Sequence, residues 1–379
     1  MKESKYVRLA NTIYRVLRNS RTPLFLHRKS NHVFSLWQHI VLLTVRQYEG
    51  KSYRMFAEWL FEAYYLRIFL QLSHIPHYTT LQKFSSRING TLLEKIISSF
   101  ILLLTNIRKI FTGIDSTGFK ITHASQYYTE RTGLRRKYVK LSLGADVLQQ
   151  IICTIKIRRA PTRHDNIDFR PIITRTSGIL PLSVVTGDKG YDSEDNHVLV
   201  REELYAFSVI PARYEHVPIW RTHGKYRKQM KRGYSKLLYN QRNKDETIIS
   251  VIKRLFGEHI TSRLVRTQNR ELSFRCIAYN THRLTNLTII TWFLQSRLEY
   301  KYRTRRVCHQ DKQNGKTITE YRTPDRKETD LVFAVYQDNK TPNPDFIYDG
   351  LGNSFAKTLR YSSLLFSKCL TRLCSFILF

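Results

Sequence analysis

The apolar residues of the first hundred positions recur mainly at helical spacing, and the pattern is interrupted at Pro76. Thr79 and Thr80 follow the interruption and offer an N-cap for a short helix. We therefore expect a helical N-terminal domain over residues 1–105. Its helices are predicted at 36–45, 53–72, 81–88 and 92–104.

The short helix at 81–88 is basic and carries Lys83 and Arg87. A short basic helix after a turn can enter a groove of DNA, where both cations would contact phosphates. A helical packing or dimerisation module fits the same pattern equally well. Both interpretations stay open at this stage.

From residue 106 the spacing changes to short strands rich in β-branched residues, followed by alternating helices and strands. This order predicts an α/β fold with a mixed sheet and flanking helices over residues 106–300. A basic, turn-prone stretch at 213–235 is expected to be a linker or a loop facing DNA. Residues 301–379 lose any clean period, and we treat them as a C-terminal extension of unknown role.

Composition points to a polyanionic partner. The chain has 63 Lys and Arg against 30 Asp and Glu, a formal net charge of +33. The cations are spread along the chain and interleaved with 23 Tyr and 20 Phe. This distribution favours nucleic acid over a membrane surface and gives no sign of a small-molecule substrate.

The five cysteines form no CxxC pair, which argues against zinc and fits a reducing compartment. No secretory signal and no apolar run long enough to span a bilayer is visible. The expectation from sequence is a soluble protein of the cytoplasm.

Four polar residues form one stripe on a predicted helix from 239 to 253: Tyr239, Arg242 and Lys253 lie within roughly 40° of Glu246 around its axis. The apolar residues of this segment occupy the other side. A solvated surface helix is the ordinary reading of such a stripe. Two aspartates earlier in the chain suggest a functional reading instead.

Asp115 and Asp188 each stand where an apolar strand is predicted to end. Together with Glu246 they supply three carboxylates from two strand ends and one helix. Such a set can bind two divalent metal ions that act on a phosphodiester. Hard oxygen ligands favour Mg²⁺, with Mn²⁺ as a substitute. Arg242 and Lys253 would hold phosphates, and Tyr239 would donate a hydrogen bond or stack on a base.

These motifs resemble the DDE transposases of bacterial and archaeal insertion sequences, in the IS-Four/IS-Five supergroup. The matching segments are TGIDSTGF around Asp115, TGDKGYDS around Asp188, and the Tyr-Arg-Glu-Lys spacing that ends at Lys253. The resemblance implies a ribonuclease H-like catalytic domain in which Asp115, Asp188 and Glu246 bind two Mg²⁺ ions. It also implies that the N-terminal helices help to bind terminal inverted repeats and that a homodimer works on DNA.

Some assignments are secondary. His164 and Asp165 resemble the family's HD pair and are accessory candidates, although a lone histidine in a loop is more often a hydrogen-bonded surface residue. Lys189 is a further candidate for DNA contact. Glu258 and Glu271 are alternatives to Glu246, but neither has the Tyr, Arg and Lys at the family spacing.

The expected function is that of a transposase that cleaves DNA at element ends and joins them to target DNA. Two alternatives remain: a stand-alone ribonuclease H-like nuclease, and a non-catalytic DNA-binding protein derived from a transposase.

Overall fold

The computed structural model describes residues 4–27, 29, 31–104, 107–121, 138–159, 164–302, 306–310, 317–321 and 333–336. The chain forms two compact units, 1–286 and 287–379. The domain boundaries predicted at residues 105 and 300 stay predictions.

A mixed sheet in the first unit confirms the predicted α/β fold class. Its main strands follow the order β3-β2-β1-β4-β5, and a sixth strand, β6, pairs with the far end of β1. β1, β2 and β3 are antiparallel neighbours, whereas β1, β4 and β5 run parallel. This order and these directions are those of the ribonuclease H-like fold. The strands are β1 (Ile110–Ile121), β2 (Tyr138–Asp146), β3 (Ile151–Arg159), β4 (Leu182–Gly187), β5 (Phe207–Val209) and β6 (His259–Ile260).

Helices precede the sheet and flank it, as the helical and β spacings predict. Amphipathic faces and capping residues fix several of them: Ser35, for example, forms a reciprocal capping box with Gln38. The helices are α1 (Lys5–Asn19), α2 (Leu36–Tyr48), α3 (Tyr53–Glu62), α4 (Tyr64–Phe69), α5 (Tyr78–Arg87), α6 (Gly90–Ser99), α7 (Asn166–Ser177), α8 (Glu194–Val198), α9 (Lys225–Arg232), α10 (Lys236–Asn240), α11 (Asn243–Phe256) and α12 (Val265–Tyr302).

One hydrophobic core joins the N-terminal helices to the sheet and runs from Ala10 to Leu284. Polar contacts cross the same boundary. The hydroxyls of Thr12 and Thr285 lie 2.9 Å apart, and Ser98 Oγ donates to the carbonyl of Cys153. The N-terminal helices are therefore built into the body that carries the sheet.

The basic helix begins earlier than predicted, because His77 rather than Thr79 or Thr80 takes the N-cap position of α5. Leu81 and Ser85 are buried on its inner face, whereas Lys83 and Arg87 are exposed. Because α5 packs through the face that carries Leu81 and Ser85, the face that carries Lys83 and Arg87 is accessible to a partner.

The stretch 213–235 is docked on the first unit rather than acting as a linker. Arg227 forms a two-pronged ion pair with the buried carboxylate of Asp192, at 2.8 and 2.7 Å. The carboxylate of Glu194 accepts from the backbone N–H groups of Tyr226 and Arg227 and so caps α9. Asp192 and Glu194 therefore hold this stretch against the first unit.

In the second unit, three antiparallel strands form a small sheet in the order β7-β8-β9: Arg306–Gln310, Thr317–Tyr321 and Phe333–Tyr336. Much of the predicted extension lies outside the described residues. Among the helices that are described, none has the length and apolar content to cross a bilayer.

Candidate active site

Asp115 lies inside β1, not at its end as predicted. β1 continues through the Ser116–Thr117–Gly118 segment, which pairs with β2. On the other side of β1, however, the parallel pairing with β4 stops at Ile114 opposite Gly187. Asp115 and Asp188 are thus the next residues along two neighbouring parallel strands, which brings both to the same edge of the sheet.

Asp188 is held by the turn that follows β4. It is the N-cap of a 3₁₀ turn at Lys189–Tyr191, and its Oδ1 accepts from the backbone N–H of Gly190 at 2.9 Å. A Cβ at Gly190 would stand 2.9 Å from that oxygen, and one at Gly187 would stand 3.2 Å from Ile114 and Tyr191 side-chain carbons. These glycines are therefore used for close packing around Asp188.

Glu246 reaches the same region through α11, although the predicted continuous helix from 239 to 253 is interrupted. α10 ends at Asn240, a turn covers Gln241 and Arg242, and α11 begins at Asn243. Asparagine has a weak helix propensity, which favours a break here. Asp245 and Glu246 then lie in the first turn of α11, where the helix dipole stabilises carboxylates.

Packing of α11 on β1 depends on Gly113. The side chain of Asp245, which is fully buried, rests directly over this glycine. Burial, and next the charge of Asp115, raise the pKa of Asp245 well above its usual value. Asp245 is a carboxyl group that the sequence reasoning missed. Its position next to Glu246, on the apolar side of the helix, was the available signal.

A cavity of about 500 Å³ opens between β1 and α11. Asp115 and Glu246 both line it, and Lys253 stands beside them, so two predicted ligands and one predicted phosphate contact share one space. The remaining lining residues are Ser116, Thr117, Ile249, Ser250, Arg254 and Glu258.

The electrostatics of Asp115 tie the three predicted carboxylates together. Burial raises its pKa most, and the charges of Asp188 and Glu246 raise it further. The backbone N–H of Ser116, 2.8 Å away, and the guanidinium of Arg242 act in the opposite direction. Crowded negative charge is the condition that a bound cation relieves.

Arg242 pairs with Glu246: its Nη2 lies 2.6 Å from Glu246 Oε1. The guanidinium also stands over the ring of Tyr239 at 5.8 Å from its centroid. The break between α10 and α11 does not separate these three residues. Lys253 and Glu246 both line the cavity.

Lys189 is exposed and pairs with Glu215; the distance from its Nζ to Glu215 Oε1 is 2.5 Å. Lys83 and Arg87 lie on α5 of the N-terminal helices, and neither lines the cavity of Asp115.

Among the alternative carboxylates, Glu258 lines this cavity. Glu271 does not: it is buried in an ion pair with Arg275 at 2.7 Å.

Asp165 touches the site indirectly. Its Oδ2 accepts from Ser116 Oγ at 2.5 Å, and Lys140 pairs with its other oxygen. His164, its predicted companion, is exposed. Sequence reasoning missed Lys140 and also the buried Asp168, which accepts from Ser142 Oγ at 2.7 Å and Arg158 Nε at 2.8 Å.

The donor set suits a hard divalent cation, since Asp115, Asp188 and Glu246 offer only carboxylate oxygens. Within the described ranges, no three Asp, Glu, His or Cys side chains are close enough to hold one ion together. A two-ion arrangement needs fewer carboxylates per ion, and Asp115, which interacts with both partners, is the residue that can be shared.

The sheet has the strand order of the ribonuclease H-like fold, and Asp115 and Asp188 lie at one edge of it. Residues 108–281 match the family described as "Transposase DDE domain", a range that contains the whole sheet of the first unit and α11. This match supports a DDE transposase and, with it, roles in DNA transposition and recombination.

Among solved structures, the chain is similar to a cryo-EM structure of the piggyBac transposase synaptic complex with hairpin DNA. Sequence identity is 11%, the TM-score is 0.35, and the alignment covers 78% of this chain and 81% of that one. No curated protein matches the chain.

Proposed function

We propose that this protein is a transposase of the IS-Four/IS-Five supergroup, with the Tyr-Arg-Glu-Lys signature at 239, 242, 246 and 253. It cleaves DNA at the ends of its element and joins the freed 3′ hydroxyl to target DNA. Asp115, Asp188 and Glu246 are its metal-binding catalytic residues. It acts on terminal inverted repeats and target DNA, as a homodimer, in the cytoplasm of a prokaryotic cell.

The observation that carries the proposal is that Asp115 and Glu246 line one cavity and that the charges of both Asp188 and Glu246 act on Asp115. Asp115 is buried and lies within the electrostatic influence of two like charges, a condition that a bound cation relieves. The cavity is open and also presents Lys253 and Arg254, two cations suited to a phosphodiester backbone.

Each side chain has a distinct task in this scheme. Asp115 and Asp188 would hold one Mg²⁺ or Mn²⁺ ion, and Asp115 and Glu246 the other. When bound, the ions activate the attacking oxygen and stabilise the leaving oxygen. Lys253 would hold a phosphate as a point charge, and Arg242 would move from Glu246 to a phosphate as a two-pronged donor.

Two residues would position Asp115. Ser116 donates its backbone N–H to Asp115 and its hydroxyl to Asp165. Lys140 neutralises Asp165 from the neighbouring strand. This chain of contacts would fix the part of β1 that carries the shared carboxylate, which gives Asp165 an accessory role.

The test is Mg²⁺-dependent cleavage of duplex DNA that carries the inverted repeats flanking the gene. Asp188→Asn keeps an acceptor for the Gly190 N–H but removes the charge. Cleavage should fall by more than the ~10–100-fold that changes outside the ligand set cause, while salt-sensitive DNA binding persists. Asp195→Asn, an exposed acid on α8, is the matched control.

Cleavage by Asp188→Asn at the rate of the parent protein would overturn the proposed site. Offering DNA with pre-cut ends separates the activities: joining supports a transposase, and cutting without joining identifies a nuclease. Binding with neither activity in Mg²⁺ or Mn²⁺ identifies a non-catalytic DNA-binding protein.

A further inference from the structure

A second concave site lies among the N-terminal helices, in the first unit. It encloses about 720 Å³, within the range of ligand pockets. The loop between α1 and α2 forms one wall, and α5 forms another. Its lining residues are Phe25, Leu26, His27, Lys29, Asn31, His32, Val33, Phe34, Leu36, His39, His74, Thr80, Lys83, Phe84 and Arg87.

The floor of this pocket is made of flat rings. His39 stacks on Phe84 with ring centroids 4.1 Å apart and an interplanar angle of 17°. Phe34 packs against His39 edge-on and against His74 at 4.9 Å. Burial lowers the pKa of His39, which favours its neutral form. Such a floor suits a planar group.

A further stacked pair forms the loop wall. Phe25 and His32 have centroids 4.1 Å apart at an interplanar angle of 25°. His32 holds a backbone φ of 52°, in the left-handed region that few residues other than glycine adopt. The loop accepts this conformation and thereby places the pair at the pocket.

The rim carries positive charge. Lys29, Lys83 and Arg87 are exposed at its edge, and among the described residues that line the pocket none is Asp or Glu. Lys83 and Arg87 stand four residues apart on α5 and therefore share one face. Cations around stacked rings are the combination that binds a single-stranded nucleic acid, phosphates outside and base inside.

We propose that this pocket binds one unpaired nucleotide of DNA, with the base on the aromatic floor and the flanking phosphates on Lys83, Arg87 and Lys29. The inference rests on the proposed function, since DNA is its partner. It assigns the N-terminal helices a contact with an unstacked base, which goes beyond holding the backbone of a duplex.

The experiment compares three oligonucleotides on the full-length protein in EDTA, where no cleavage occurs: a blunt duplex, a duplex with a three-nucleotide tail, and a duplex with one bulged base. A 2-aminopurine in the tail or bulge reports stacking. The tailed or bulged DNA should bind about 5-fold or more tightly than the blunt duplex, with quenched 2-aminopurine fluorescence.

Phe25→Leu and Phe84→Leu keep an apolar side chain but remove a stacking ring. Each should abolish the preference and the quenching while leaving blunt-duplex affinity unchanged. Phe25 lies in a loop, so its variant tests the proposal even if Phe84→Leu fails to fold. Tyr65→Leu, which removes an exposed ring on α4, is the control and should change neither quantity.

A preference for the tail alone assigns the pocket to a single-stranded end, and a preference for the bulge assigns it to an extrahelical base. Equal affinity for all three DNAs, or a preference that survives both variants, overturns the proposal. The binding assay needs no metal, whereas cleavage at the proposed catalytic site does. Failure of the catalytic site and failure of the pocket are therefore separable.

Discussion

Gly113 of β1 and Asp245 of α11 meet so closely that no side chain fits between them. A Cβ at position 113 would lie 1.7 Å from Asp245 Oδ2 and 2.3 Å from its Cγ. Asp245 is fully buried and cannot swing into solvent, so any side chain at 113 must push the helix away. The contact sets the distance between the strand that carries Asp115 and the helix that carries Glu246.

Gly113→Ala should therefore damage both stability and activity. Overpacking of this kind costs about 1–3 kcal/mol, and we expect the free energy of unfolding to fall by about that amount in urea titrations. DNA cleavage should fall further, because Glu246 moves with α11. The double variant Gly113→Ala/Asp245→Ala should regain much of the lost stability, since it removes the colliding carboxyl.

Gly118→Ala is the control on the same strand, where the atoms nearest to a Cβ belong to the Tyr138 ring, the closest at 3.1 Å. Tyr138 is 40% exposed, whereas Asp245 is fully buried. Equal losses for Gly113→Ala and Gly118→Ala, or no recovery in the double variant, would contradict the role given to the contact.

Arg242 should influence the pH at which the enzyme works. Its charge lowers the pKa of Asp115, which burial and the other carboxylates raise. Arg242→Gln removes that influence, so the pKa of Asp115 should rise. Metal binding needs the ionised carboxylate, and the acidic limb of the pH–cleavage profile should therefore move to higher pH.

Arg254→Gln provides the comparison, because Arg254 lines the same cavity but is not among the largest influences on the pKa of Asp115. The acidic limb of the pH–cleavage profile of Arg254→Gln should lie at the same pH as that of the parent protein, even if its cleavage rate is lower. An unmoved limb in Arg242→Gln would argue against ionisation of Asp115 as the controlling step.

His197 should make the fold sensitive to mild acid. It is fully buried, its Nδ1 lies 2.7 Å from Ser208 Oγ, and burial, then the charge of Arg201, lowers its pKa to about 4. In the unfolded chain a histidine titrates near 6.5. Between these values the unfolded chain binds the proton more tightly, so the free energy of unfolding falls as pH drops from about 6.5 to about 4.

The full contribution of His197 is roughly 3 kcal/mol. Urea titrations at pH 7 and pH 4.5 should show a smaller acid-induced loss in His197→Gln than in the parent protein. His223→Gln, at an exposed histidine, should keep the parent's pH dependence. If His197→Gln loses as much stability on acidification as the parent does, the claim that His197 is buried in its neutral form is wrong.

The sequence was sufficient for the order of strands and helices because apolar spacing is a local signal. It placed β4 and the edge that carries Asp188 correctly. It misplaced Asp115 at a strand end, because Ser116, Thr117 and Gly118 look like a turn although β2 pairs with them. Pairing across the sheet overrides such local preferences.

The site was predictable as far as its charges and spacing allowed. Arg242 and Glu246 stand four apart and do pair. The break before Asn243 and the fit of Asp245 on Gly113 depend on how α11 packs against β1, which no spacing along the chain encodes. The pairing of Asp165 with Lys140 likewise joins two separate elements.

The central claim is that Asp115 is a metal ligand shared with Asp188 and Glu246, and replacement by a softer ligand tests it most directly. A thiolate binds Mg²⁺ poorly and accepts softer ions more readily. Asp115→Cys should lose Mg²⁺-dependent cleavage, and its cleavage rate in Mn²⁺ should be at least about 10-fold higher than its rate in Mg²⁺. Asp115→Ala should stay inactive with both metals. Cleavage by Asp115→Cys in Mg²⁺ at the parent rate, or no difference between the Cys and Ala variants in Mn²⁺, would contradict the account.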